Sequence, residues 1–370
     1  MEQRQFSLVQ GHIDSLKRNS HSQRYVHLLE GGLLLRRDRY EAALRELVQI
    51  SPTGKIRPDA LVLTGECLYR LGRLDEAADL IQQLSDENPW HATARRWLAA
   101  IHYDEGRLDS ALMELQEVSR LRPDDYSPHR MMGMIHHQDL RNEPTAVNHY
   151  RIALQLNPPT ADSQQILNEL SEALIEQGKY REALKVLDQA NGDSHFLSLK
   201  ARCHWQLQER EQARAVLAQV LTIAPGHRAG LMLQSRIHLD ERQPKAAIAS
   251  LQKILDQDPH DFPCRYQLAL VYLRLGDRSE SAAQMARMRQ SKEFRTRLAE
   301  LFVKARRPGD VEVRREIAQL CMENDQPQLA TIWREAAAES GRAKPILELG
   351  PEWKRQSEPP RGSTSKVSTD

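Results

Sequence analysis

GECLYRLGRLDEAADLI (65–81) and AAIHYDEGRLDSALMEL (99–115) align with each other at a step of 34 residues. Sliding the whole chain along itself by that step brings Ala77, Ala111 and Ala146 into one column and Pro89, Pro123 and Pro158 into another. The third copy carries one inserted residue. Ala213 and Ala247 continue the first column further along, and Pro225 and Pro259 the second. A period of this length fits two short antiparallel helices with their turns.

Inside a copy the apolar spacing is helical. Leu61, Leu68 and Leu71 make one stripe, and Leu80, Ile81 and Leu84 another. Gly72 and Gly106 stand where a first helix must end, because glycine takes a left-handed cap at little cost. The proline closing each copy stops the second helix, since it lacks a backbone donor and clashes with the preceding turn. No stretch alternates in the way a strand needs. The fold expected is all-α, a solenoid of stacked antiparallel helix pairs in which small residues permit close helix approach and Leu, Ile and Val fill around them.

The organisation expected is an N-terminal capping helix in residues 1–23, with Phe6, Val9, Ile13 and Leu16 on one stripe. About eight repeats follow over 24–291. Further helices with a degenerate repeat fill 292–341, the first being KEFRTRLAELFVKAR (292–306), ended by Pro308-Gly309. The polar, apolar-poor residues 342–370 are expected to form a disordered tail.

Lys and Arg total 52 against 51 Asp and Glu, a formal net charge of +1, which argues against a nucleic-acid partner. Aromatic residues make up only 5% of the chain. The cysteines, Cys67, Cys203, Cys264 and Cys321, show no paired spacing and read as small apolar residues. No apolar run reaches the ~20 residues of a membrane span. The start lacks the charged and apolar regions of a signal peptide, so a cytoplasmic address is expected, although the first helix reads as half a repeat, as though chain were missing upstream. No phosphate-cradling loop, metalloprotease motif or nucleophile elbow occurs, so neither an enzyme nor a cofactor is expected.

These columns resemble the tetratricopeptide repeat family, whose pattern is W-x2-L-G-x2-Y followed by Ala, Phe and Pro at fixed places. Gly65, Leu68, Gly72, Ala77, Ile81 and Pro89 carry it in one copy, and Leu98, Ala99, Gly106, Ala111, Leu115 and Pro123 in the next. Gly31, Tyr40, Ala43 and Leu47 precede them. Gly133, Ala146, Tyr150 and Pro158 follow, as do Leu268, Ala269, Tyr272 and Gly276. The leading Trp is absent throughout. The resemblance covers about residues 24–341 and implies a right-handed superhelix that binds protein on its concave face through the first helix of each pair.

Four histidines, His102, His136, His204 and His238, share the family's Tyr column with Leu68, Leu174 and Tyr272. A slot that accepts Leu and Tyr is a packing slot with room for one polar tip. Equivalent positions in neighbouring copies lie a packed helix apart, roughly 10 Å. Zinc–nitrogen bonds are only about 2 Å, so these histidines cannot share an ion, and no metal site is expected.

At the places the resemblance assigns to the concave face stand Arg96 and Arg130, one repeat apart, and Arg202 and Arg236, again one repeat apart. Tyr69, Arg70, Trp97, Tyr103 and Trp205 accompany them, with Met131, Met134 and Met232. Aromatics and arginine dominate interface energetics, arginine grips carboxylates, and methionine adapts to varied surfaces. The expectation is a non-enzymatic scaffold holding an extended or helical protein segment with acidic residues. Glu169, Glu172 and Glu176 make the middle copy acidic instead. The other readings are a regulatory or assembly subunit docked permanently through its ends or convex face, solvated arginines, and tryptophans spent on packing between copies.

Overall fold

A computed structural model describes residues 11–17, 23–50, 57–305 and 311–338. Every regular element among them is a helix. A short segment, α1, is helical over 11–17. After it come α2 (Gln23–Leu35), α3 (Tyr40–Leu47), α4 (Arg57–Arg70), α5 (Leu74–Glu87), α6 (Ala92–Asp104), α7 (Leu108–Leu121), α8 (Ser127–Gln138), α9 (Glu143–Gln155) and α10 (Thr160–Glu176). The chain continues with α11 (Tyr180–Leu187), α12 (Ser194–Gln206), α13 (Arg210–Ile223), α14 (Arg228–Asp240), α15 (Pro244–Gln257), α16 (Phe262–Arg274), α17 (Arg278–Ala305), α18 (Val311–Glu323) and α19 (Pro327–Ala338). The all-α helical-repeat solenoid expected from the periodicity is what the chain forms.

The chain divides into two compact units, the first Met1–Gln177 and the second running from Gly178. In the first, α2 to α10 pack consecutively, each helix on the next. In the second the same holds from α11 to α19.

The small columns lie where helix axes come closest. Ala43, Ala77, Ala111 and Ala146 in the first unit, and Ala213, Ala247 and Ala330 in the second, are wholly buried. A Cβ built on Gly65 would sit 2.4 Å from Ile81 Cδ1, and one on Gly31 would sit 2.7 Å from Leu47. These pairs therefore close by setting a branched side chain of the second helix against a residue with no side chain on the first.

One expectation about the ends is revised, and two fall wholly or partly outside the described residues. Of the capping helix, only 11–17 falls within the described residues; there Ile13 is fully buried against Val26 and Leu33. The boundary expected at 291/292 lies inside α17, which runs unbroken from Arg278 to Ala305. Its Phe294 and Leu301 are both buried. The expected tail lies outside the described residues.

Candidate functional site

The first helix of each pair places every residue singled out from sequence, because these helices touch one another directly. In the first unit α2 meets α4, α4 meets α6 and α8 meets α10; in the second α12 meets α14. A side chain on such a helix either wedges into the seam with its neighbour or stands on the face shared by successive first helices.

In the first unit, Tyr69 on α4 and Trp97 on α6 meet across the seam, ring centroids 5.3 Å apart and planes tilted by 57°. The Tyr69 hydroxyl donates to Asp104 Oδ2 at 2.5 Å. Trp97 rests partly buried on Val62, Ile81, Leu84 and Leu98. Tyr103, one repeat after Tyr69, packs against Ala99, Leu115 and Met132. Burial, helped by the nearby Asp139 carboxylate, pushes its hydroxyl pKa up to about 12. Met131 joins the same cluster, Met134 is half-buried, and Arg70 is exposed with Glu66 3.9 Å away.

The arginines one repeat apart in this unit, Arg96 and Arg130, are already engaged. Arg96 pairs with Asp125 in the turn that leads into α8. Arg130 grips Glu169 with two donors, Nε at 3.2 Å and Nη2 at 2.8 Å, and stands 3.9 Å from Asp162. Glu169 is buried, so this pair joins α8 to α10 with little water around it. The acidic helix noted in the sequence is thus the internal counterpart of Arg130.

The second unit differs. Arg202 on α12 and Arg236 on α14 are exposed and stand one repeat apart on helices in direct contact. Neither has a hydrogen-bond or ion-pair partner among the described residues. Trp205, by contrast, is only 6% exposed and packs with Ala201, Ala213, Leu217, Leu233 and Ile237. The Arg210 guanidinium lies 3.5 Å above its ring. It fills the interior and presents no ring to a partner, which is the packing role weighed above. Met232 is partly buried beside Leu231 and Leu268.

The histidine column is half-buried throughout, as a packing slot with a polar tip should be. His204 bonds Glu209 at 2.6 Å, and His102 stands 3.7 Å from Glu105. Sequence reasoning missed a denser group formed by His129 and His136 of α8 with His149 of α9. The Nδ1 atoms of His129 and His149 are 3.2 Å apart, and His136 stacks on His149 at 5.7 Å and 5°. Burial, then the charges of His129 and His136, push the pKa of His149 down to about 4. Only His136 belongs to the 34-residue column, so periodicity had no means of finding the other two. The cysteine thiols are buried and shifted upward by that burial, Cys67, Cys203 and Cys264 to about 12. They are not activated as nucleophiles.

No helix among the described residues is long and apolar enough to cross a membrane. Sequence models described as tetratricopeptide repeat match residues 28–89, 68–134, 174–237 and 238–301. No curated protein matches the chain. Among solved structures, the C-terminal part of a tetratricopeptide repeat-containing protein from Cytophaga hutchinsonii superposes with a TM-score of 0.52 at 18% identity. That match covers 63% of this chain and 95% of the other. A tetratricopeptide repeat protein from Parabacteroides merdae gives 0.47 at 16% identity, covering 67% and 98%. Repeats of this kind generally mediate contacts between proteins. With the sequence models matching well over half its length, this chain belongs to the tetratricopeptide repeat family.

Proposed function

We propose that this protein is a non-enzymatic scaffold whose first helices hold an extended or helical segment of an acidic protein partner. The observation that carries this reading is the pair of exposed, unpartnered arginines, Arg202 and Arg236, repeated on adjacent first helices of the second unit. Arginine left without an internal carboxylate can pair bidentately with one from outside. Arg96 and Arg130 have such carboxylates within the chain, so they stiffen the first unit. The half-buried Tyr69–Trp97 ledge offers that unit an apolar contact of the kind that anchors interfaces. Docking through the second helices has weaker support, because their exposed apolar side chains, Met113 on α7, Ile223 on α13 and Ile332 on α19, are scattered singly.

A displayed library of acidic peptides tests the reading. Peptides enriched on the wild type should bind roughly tenfold or more weakly to R202E/R236E, at unchanged helical content, and weaken with added salt. Equal binding by both proteins would remove the arginine pair from the interface.

A further inference from the structure

The repeat period separates histidines of one column, but the fold brings a different histidine together with acids from neighbouring helices. His137 closes the last turn of α8, Glu143 begins α9, and Glu176 is the last residue of α10. One ligand atom from each lies within 4.8 Å of the other two. His137 is 7% exposed, and its Nδ1 is buried without a hydrogen-bond partner, 3.8 Å from Glu176 Oε2. A ring nitrogen buried without a partner is costly, so an occupant that satisfies it is favoured.

We propose that His137, Glu143 and Glu176 form a site for a divalent transition-metal ion of the zinc class, with water completing the coordination. Three arguments converge. First, a tetrahedral ion with bonds of 2.0–2.2 Å needs ligand atoms about 3.3 Å apart. The present separations close to that by rotation of two glutamates, of which Glu176 is exposed. Second, α8 and α10 both end at this place, and their two partially negative C-termini outweigh the one partially positive N-terminus that α9 brings with Glu143. A carboxylate on the last residue of α10 adds to that field, so a cation is the fitting occupant. Third, the imidazole selects among cations: magnesium and calcium take oxygen ligands in larger number, whereas one imidazole with two carboxylates suits zinc and its neighbours. The ion would tie the end of α8 to the start of α9 and the end of α10, completing the packing at the close of the first unit.

The other histidine–glutamate group, His27, Glu30 and Glu46, does not make this case. There His27 Nδ1 already bonds Glu46 at 3.0 Å, and Lys17 neutralises Glu30 at 2.6 Å.

The test is zinc titration of the untagged full-length chain at neutral pH, with cobalt(II) as a spectroscopic substitute. The wild type should take up zinc with saturation at one ion per chain and melt at a higher temperature with zinc but not with magnesium. Cobalt should give the visible absorption of a four-coordinate nitrogen–oxygen site. H137Q and E176Q should each weaken uptake by roughly tenfold or more. E176Q should keep the wild-type helical content when zinc is absent, which separates a loss of binding from misfolding. Absence of saturable uptake would overturn the proposal, since the three residues would then be a bare ion pair with a neighbour. Uptake undiminished in E176Q would overturn it as well, by placing the ion elsewhere.

Discussion

At the residue scale, the column that decides closeness is the one holding Gly31, Gly65, Ala99 and Gly133. Its counterpart sixteen residues on is Leu47, Ile81 and Leu115; in the third copy the inserted residue shifts it to Tyr150. The bulkiest partner, Tyr150, faces a glycine. A Cβ on Gly133 would lie 2.8 Å from two atoms of the Tyr150 ring, which is fully buried and has nowhere to retreat. Gly133→Ala is therefore expected to cost about 1–3 kcal/mol, read as a lower urea midpoint. Gly192→Ala, where a Cβ meets nothing within 4 Å, is the control and should change stability by less than about 0.5 kcal/mol. These pairings were legible from sequence because both partners recur at the repeat period. The engagement of Arg130 by Glu169 was not, because its partner lies in a copy whose length departs from that period.

At the element scale, turns within pairs share one device, a left-handed residue. Gly72, Gly106 and Gly276 supply it with φ of 73°, 76° and 80°. Asp38, Arg141, Gln208, Arg242 and Asp325 supply it at φ between 54° and 63°, where a side chain is disfavoured. Glycine marked this position in the sequence, but the same turn built on arginine or glutamine leaves no such mark. Arg242 is exposed on the turn between α14 and α15. Arg242→Gly is expected to gain about 0.5–1 kcal/mol by removing that strain, and Gly276→Ala to lose about 1 kcal/mol by introducing it. Chemical denaturation of both variants checks the signs; a loss in Arg242→Gly would mean that the flexibility of glycine in the unfolded chain outweighs the relief. The unbroken α17 has a related cause. The column that holds Pro89, Pro123, Pro225 and Pro259 holds Glu293 in this copy, so nothing ends the helix there.

At the scale of the whole molecule, the described helices of each unit pack mainly on those next to them in the chain, so stability is close to a sum of local interfaces, and weakening one is felt directly. The histidine group between α7, α8 and α9 is expected to make stability depend on pH. Ser119 Oγ lies 2.9 Å from His129 Nε2, and the Nδ1 atoms of His129 and His149 are 3.2 Å apart, so a neutral His129 donates through one ring nitrogen and accepts through the other. Protonating both His129 and His149 sets an N–H against an N–H, beside His136 stacked on the same ring. Burial lowers the pKa of His129 and His136 as well. A histidine whose folded pKa lies below the ordinary 6.5 binds fewer protons folded than unfolded between 6.5 and about 4. Its contribution is complete above pH 6.5 and is lost as pH falls through that window, levelling off below about 4. After discounting for partial solvent access, His149 alone should remove on the order of 1–2 kcal/mol between neutral pH and pH ~4.5. Urea unfolding across this range should show a wild-type stability that falls with acid, and a His149→Gln variant that starts less stable but falls less steeply. Equal slopes in the two proteins would move the acid sensitivity to the carboxylates of the inter-helix ion pairs. They would also show that this histidine group stays solvated enough to titrate as it does in the unfolded chain.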